Sequence, residues 1–75
     1  MDKILQKQAE IGNRVAFLRK RKGWTQTELA EKSGISTKSY ISEIESGTHN
    51  LTLKKIAQLE QAFHAKIVTI LPPEA

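Results

Sequence analysis

The chain of 75 residues lacks cysteine and has only two histidines. Without cysteine there is no disulfide framework and no thiolate metal site. The histidines, His49 and His64, stand 15 residues apart, and no paired carboxylates, glycine-rich phosphate loop or metal-ligand cluster accompanies them. We therefore expect no catalysis, no bound metal and no cofactor.

Long hydrophobic runs are also missing. The longest apolar stretch, 67–71, is interrupted by Thr69 and is far too short to cross a bilayer. The N-terminal residues M-D-K-I-L-Q-K-Q contain no apolar run of the kind found in signal peptides. The sequence thus predicts a cytoplasmic protein with no membrane partner.

Acidic residues are fewer than basic ones, and the excess is localised. The chain has 12 Lys and Arg against 8 Asp and Glu, a net charge of +4. Residues 14–38 hold seven of the cations and two of the glutamates. The run R-K-R-K at 19–22 is either a solvated helix end that complements the helix dipole or a surface that faces phosphates.

The segment 25–47 contains two short runs with helical periodicity on either side of a glycine turn. In the first run Leu29 and Ala30 face inward, and Thr25 is a suitable N-cap. Gly34 provides the positive φ that turns the chain. In the second run an apolar stripe leaves small polar and cationic side chains on the other faces; the stripe consists of Tyr40, Ile41 and Ile44. This pattern predicts a helix-turn-helix over about 25–46, suited to the major groove of DNA.

Two further helices flank this motif. The first runs from about residue 2 or 3 to 21 on a heptad-like apolar pattern, with Gly12 as a weak point. We predict Phe17 and Trp24 to be core residues. Thr52 can cap the fourth helix, which ends near 62–64. Its predicted inward stripe is Leu53, Ile56, Ala57, Leu59 and Phe63.

The tail changes periodicity, because β-branched residues cluster after residue 65 and Pro72 ends the segment. We predict one strand there, formed by Lys66, Ile67, Val68, Thr69, Ile70 and Leu71. A lone apolar strand has unpaired backbone groups at both edges, so it is expected to pair with its own copy in a homodimer. The alternative is a short fifth helix. The chain is thus divided into a helical domain, 1–64, and a dimerisation tail, 65–75.

From Ile11 to Leu71 the chain resembles the XRE, or lambda-repressor-like, helix-turn-helix family. The resemblance rests on L-R-K-R-K-G-W-T-Q-T-E-L-A-E-K-S-G-I-S, on Y-I-S-E-I-E-S-G and on L-T-L-K-K-I-A. Within that family, G-W-T-Q-T-E-L-A, N-L-T-L-K-K-I-A and the strand-like tail are similar to antitoxin-repressors of the HipB and HigA type. The resemblance implies a mainly α fold, a four-helix DNA-binding domain followed by the strand.

The recognition helix departs from the family's spacing. The usual pattern would place Glu43 at a core position, whereas a shift of one residue restores Ile41 and Ile44. The chain therefore carries one extra residue in the turn, with Thr37 as the N-cap of the recognition helix. If Ser36 is the cap instead, the register changes.

In this register the resemblance implies three groups of site residues. Those expected to contact base edges are Lys38, Ser39, Ser42 and Glu43. Those expected to contact phosphates are Thr25, Gln26, Thr37, Tyr40, Thr48, His49 and Asn50. A structural pair, Arg19 and Glu45, is expected to fix the angle between helices. Glu43 is alternatively an exposed residue paired with a neighbouring cation. The family often has glycine at the position of His64, so His64 is expected to end the fourth helix in an αL backbone conformation.

These observations predict a dimeric, sequence-specific repressor that reads a palindromic operator in double-stranded DNA. Two alternatives remain open at this point. In the first, the chain is an antitoxin that binds a partner toxin and represses its own promoter. In the second, the helix-turn-helix serves only to bind another protein.

Overall fold

The computed structural model describes residues 3–35, 37–48 and 51–65. These residues form four α-helices: α1 (Lys3–Lys22), α2 (Gln26–Ser33), α3 (Lys38–Ser46) and α4 (Leu53–Phe63). The predicted mainly α, four-helix architecture is confirmed, and none of these helices has the length and apolar character needed to cross a bilayer. The strand predicted for 66–71 lies outside the described residues.

Side-chain caps explain where the three shorter helices begin. Thr25 accepts a hydrogen bond from the Glu28 backbone N–H, and the Glu28 carboxylate accepts one from the Thr25 N–H, which completes a capping box. Threonine hydroxyls cap α3 and α4 in the same way, at Thr37 and Thr52. All three predicted caps are therefore present.

The same helices end in left-handed backbone conformations. Gly34 has φ 76°, so it provides the turn predicted between α2 and α3. His64 ends α4 with φ 54° and ψ 41°, which confirms the predicted αL residue. The chain can therefore reverse direction immediately after a helix of only 8 residues.

The core lies between the inner sides of the four helices. Its fully covered members include Val15 of α1, Leu29 of α2 and Leu59 of α4. Helix α3 contributes Ile41 and Ile44, which are 0% and 1% exposed. Because α3 packs against both α1 and α2, its position is fixed and so is the direction in which its outward face points.

Three residues predicted to be buried are exposed. Phe17 is 50% exposed, because it stands two residues after Val15 and so lies about 200° around α1 from that buried position. Leu53 is 76% exposed, since side chains tilt toward the helix N-terminus and the first residue of α4 projects past the helix end. Ala57 is exposed as well, one position beyond the half-buried Ile56. The core predictions for these three residues were wrong.

Gly12, predicted to be a weak point of α1, is buried where α1 crosses α3. A Cβ atom at this position would lie 2.4 Å from the carbonyl oxygen of Ile44 and 2.8 Å from that of Glu45. Only a hydrogen fits in that space, so Gly12 permits the two helix backbones to approach closely.

Candidate nucleic-acid interface

The cap at Thr37 sets the register of α3. The Thr37 hydroxyl accepts a hydrogen bond from the Tyr40 backbone N–H at 3.2 Å, so Thr37 is the N-cap and Lys38 is the first helical residue. This confirms the predicted register. With 3.6 residues per turn, Ser39, Ser42 and Glu43 then lie on the side opposite the buried isoleucines.

All four residues predicted to contact bases are exposed on α3: Lys38, Ser39, Ser42 and Glu43. The arrangement combines one cation, two hydroxyls and one carboxylate on the outer side of a single short helix. An ammonium group can donate to guanine O6 or N7, hydroxyls can donate or accept, and a carboxylate can accept from the cytosine N4 amine. The outer side of α3 therefore carries both hydrogen-bond donors and hydrogen-bond acceptors that suit base edges in the major groove.

The predicted pair Arg19 and Glu45 is present and links α1 to α3. The guanidinium donates from Nε to Glu45 Oε2 at 2.6 Å and from NH2 to Oε1 at 3.1 Å, a bidentate geometry. The side chains are only 13% and 9% exposed. The hydrogen bond to Glu45 raises the pKa of Arg19, although desolvation acts in the opposite direction. The pair is thus a charged contact largely shielded from water.

Two further hydrogen bonds extend this contact into α2. Gln26 donates its amide Nε2 to Glu45 Oε1 at 3.1 Å, and Arg19 donates from NH1 to the Trp24 carbonyl at 2.9 Å. We call Arg19, Trp24, Gln26 and Glu45, which are all half-buried, the interhelix polar network. It connects α1, the α1–α2 turn, α2 and α3, so it fixes the orientation of α3 in the domain. The sequence had indicated the ion pair but not the participation of Gln26.

The residues predicted to contact phosphates are only partly brought together. Thr25 and Thr37 stand at the N-termini of α2 and α3, where backbone N–H groups and the helix dipole favour an anion. Thr48 donates its hydroxyl to the Glu43 carbonyl at 3.3 Å, which orders the start of the α3–α4 loop. His49 and Asn50 lie outside the described residues.

Aromatic rings lie close to several of the remaining cations. The ammonium of Lys55 lies 4.8 Å from the Tyr40 ring centroid, and that of Lys32 lies 5.0 Å from the Trp24 centroid. Trp24 itself stacks on Phe63, with centroids 5.9 Å apart and planes at 12°.

Within the described part of the chain, no three His, Asp or Glu side chains are grouped so that they could hold a metal ion.

Comparisons with known proteins agree with this geometry. The family model described as Helix-turn-helix matches residues 15–69. The competence pilus inhibition repressor of Acinetobacter baylyi is 43% identical over 61 residues, which are 81% of this chain and 54% of the relative. The uncharacterized HTH-type transcriptional regulator y4dJ of Sinorhizobium fredii is 36% identical over 63 residues, 84% of this chain and 80% of the relative.

A solved structure is similar as well. The restriction-modification controller protein C.AhdI from Aeromonas hydrophila has a TM-score of 0.76 and 32% sequence identity, covering 83% of this chain and 92% of that one. The present chain spans about half the length of the Acinetobacter relative and most of the other two. From its register, its fold and these matches, the chain belongs to the XRE-type helix-turn-helix family of DNA-binding transcription regulators.

Proposed function

We propose that this protein is a sequence-specific repressor that binds a palindromic operator as a homodimer. The observation that carries the proposal is the outer side of α3, where all four predicted base-contacting residues are exposed. The interhelix polar network holds the other side of the same helix through Glu45. An α-helix about 10–12 Å in diameter fits the B-DNA major groove, about 12 Å wide.

The chemistry of α3 favours a half-site that contains G·C pairs. Lys38 is placed in the first turn of α3, from which its ammonium can reach guanine O6 or N7. Glu43 is the residue that would accept from cytosine N4, and its charge disfavours any position close to phosphate.

Two copies are needed to read an operator with two half-sites. The described part of the chain has a radius of gyration of 11.8 Å and contains one α3. Successive major grooves on one face of DNA are about 34 Å apart, so one copy presents its single α3 to one groove and a second copy is needed for the next. The predicted 66–71 strand is our candidate for the dimer contact. We expect truncation after His64 to weaken the dimer in sedimentation and to make operator binding less cooperative, and an unchanged dimer would refute the role of the tail.

The proposal is tested by selecting bound duplexes from a random DNA library and then measuring affinity for the selected site and for scrambled competitor. We expect Lys38→Ala to lose about 1–3 kcal/mol of binding free energy on the selected site and to relax preference at one base pair. The exposed Lys54, changed to Ala, is the matched control for loss of one charge. Wild-type protein that shows no preference over competitor would refute sequence-specific binding.

The names of the relatives, which include a repressor and a restriction-modification controller, support regulation of transcription, a function that the antitoxin alternative shares. An antitoxin would copurify with the product of an adjacent reading frame. A module that only binds proteins would be indifferent to Lys38→Ala in every DNA assay.

A further inference from the structure

The lysines at positions 54 and 55 are neighbours in sequence but differ in environment. Lys54 is exposed, whereas Lys55 is half-buried, with its ammonium 4.8 Å from the centroid of the Tyr40 ring. The sequence alone gives no reason to distinguish them. The structure does, because only Lys55 reaches from α4 to the first turn of α3.

This contact lies on a flank of the recognition helix. Around α3, Tyr40 is about 100° from Ile41 but only about 40° from Ile44, so it lies at the edge of the buried side. It packs partly against the core and borders the outer polar face. A helix that fills the major groove has its flanks next to the groove walls, and those walls are the phosphate backbones.

We propose that Lys55 and Tyr40 form a phosphate clamp beside α3, in which Lys55 supplies the charge and the Tyr40 ring holds the ammonium in place. The inference rests on the proposed insertion of α3 into DNA and adds a specific backbone contact to it. A cation over an aromatic face is attracted by the ring quadrupole, and the apolar lysine stem packs while its charge stays in water. Lys55 is thus presented to the phosphate already oriented.

The clamp predicts a particular dependence on salt. Each lysine–phosphate contact adds about 0.9 to the slope of log affinity against log salt. Lys55→Met, which keeps most of the stem but removes the charge, is therefore expected to lower the slope by about 0.9. The affinity advantage of wild type over this variant should then shrink by roughly 3-fold between 50 and 200 mM salt.

The experiment compares Lys55→Met with Lys54→Met by fluorescence anisotropy on the selected operator and on scrambled duplex, with thermal melting of both variants. Lys55→Met should weaken both duplexes by a similar factor, because phosphates carry no sequence information, whereas Lys54→Met should retain the wild-type slope. A Tyr40→Leu change should remove part of the Lys55 effect in a double-mutant cycle.

Equal slopes for the two lysine variants would overturn the clamp, as would a wild-type slope for Lys55→Met. A lower melting temperature for Lys55→Met with no change in slope would also overturn it, since the pair would then be structural only. These results are separable from failure of the proposed function, which is loss of sequence preference by the wild-type protein and is measured on the same two duplexes.

Discussion

Gly12→Ala is a direct test of how closely α1 must approach α3. The added methyl group would stand 2.4 Å from the Ile44 carbonyl oxygen and 2.8 Å from that of Glu45. Ordinary van der Waals contact begins near 3.4 Å, so the helices would have to separate by roughly 1 Å. Both neighbours are backbone atoms of α3, so no change of side-chain rotamer can relieve the contact.

The expected cost follows from two opposing terms. Overpacking typically costs about 1–3 kcal/mol, and contact with two backbone carbonyls favours the upper end of that range. Replacing glycine with alanine inside a helix returns about 1 kcal/mol of propensity. We therefore expect a net loss of about 2 kcal/mol in the free energy of unfolding, equivalent to roughly 8–16 °C in melting temperature for a domain of this size.

Urea and thermal unfolding monitored by circular dichroism measure this loss. The matched control is Asn13→Ala, one residue further along α1 and exposed, which should be neutral or slightly stabilising. Because the displaced carbonyls belong to Ile44 and Glu45, operator affinity should fall as well. If Gly12→Ala were as stable as Asn13→Ala, the close approach of α1 and α3 would be refuted.

Three further predictions concern the network, an exposed ring and a helix end. Glu45→Ala should lower the unfolding free energy by on the order of 3 kcal/mol, because it leaves the shielded Arg19 guanidinium without its carboxylate partner. The double variant Arg19→Met with Glu45→Leu should lose less, and a larger loss would contradict this account. Phe17→Ala should lower the melting temperature far less than Phe63→Ala, which should cost about 3–5 kcal/mol, and equal losses would mean that Phe17 is packed after all. His64→Val should destabilise by about 1–2 kcal/mol at the αL position whereas His64→Gly should not, so equal melting temperatures for the two variants would count against backbone strain there.

Short-range chemistry made much of the fold predictable. Threonine caps and turn glycines act within a few residues of where they stand in the chain, so the starts of α2, α3 and α4 could be placed correctly. The register of α3 was also predictable, because only one spacing puts Ile41 and Ile44 on the buried side.

Predictions that depended on neighbouring helices were less successful. Phe17 is as apolar as any core residue. It is exposed only because α1 packs on the core through the opposite side of the helix. The role of Gly12 was missed, although a glycine beside the buried positions of a helix is itself an indication of close approach. Gln26 was predicted to contact phosphate. In the structure it donates a hydrogen bond to Glu45, a contact that exists only once α2 and α3 have packed together.

The sequence by itself determined the four helices, the turn between α2 and α3 and the register that turns the polar residues of α3 outward. These depend on local propensity, caps and a period of 3.6 residues, which are properties of contiguous chain. The tertiary structure alone decided how closely α1 and α3 approach, which groups join the interhelix polar network and that Lys55 rather than Lys54 lies against Tyr40. Such contacts join residues distant in sequence, and they exist only after the core has fixed the positions of the helices.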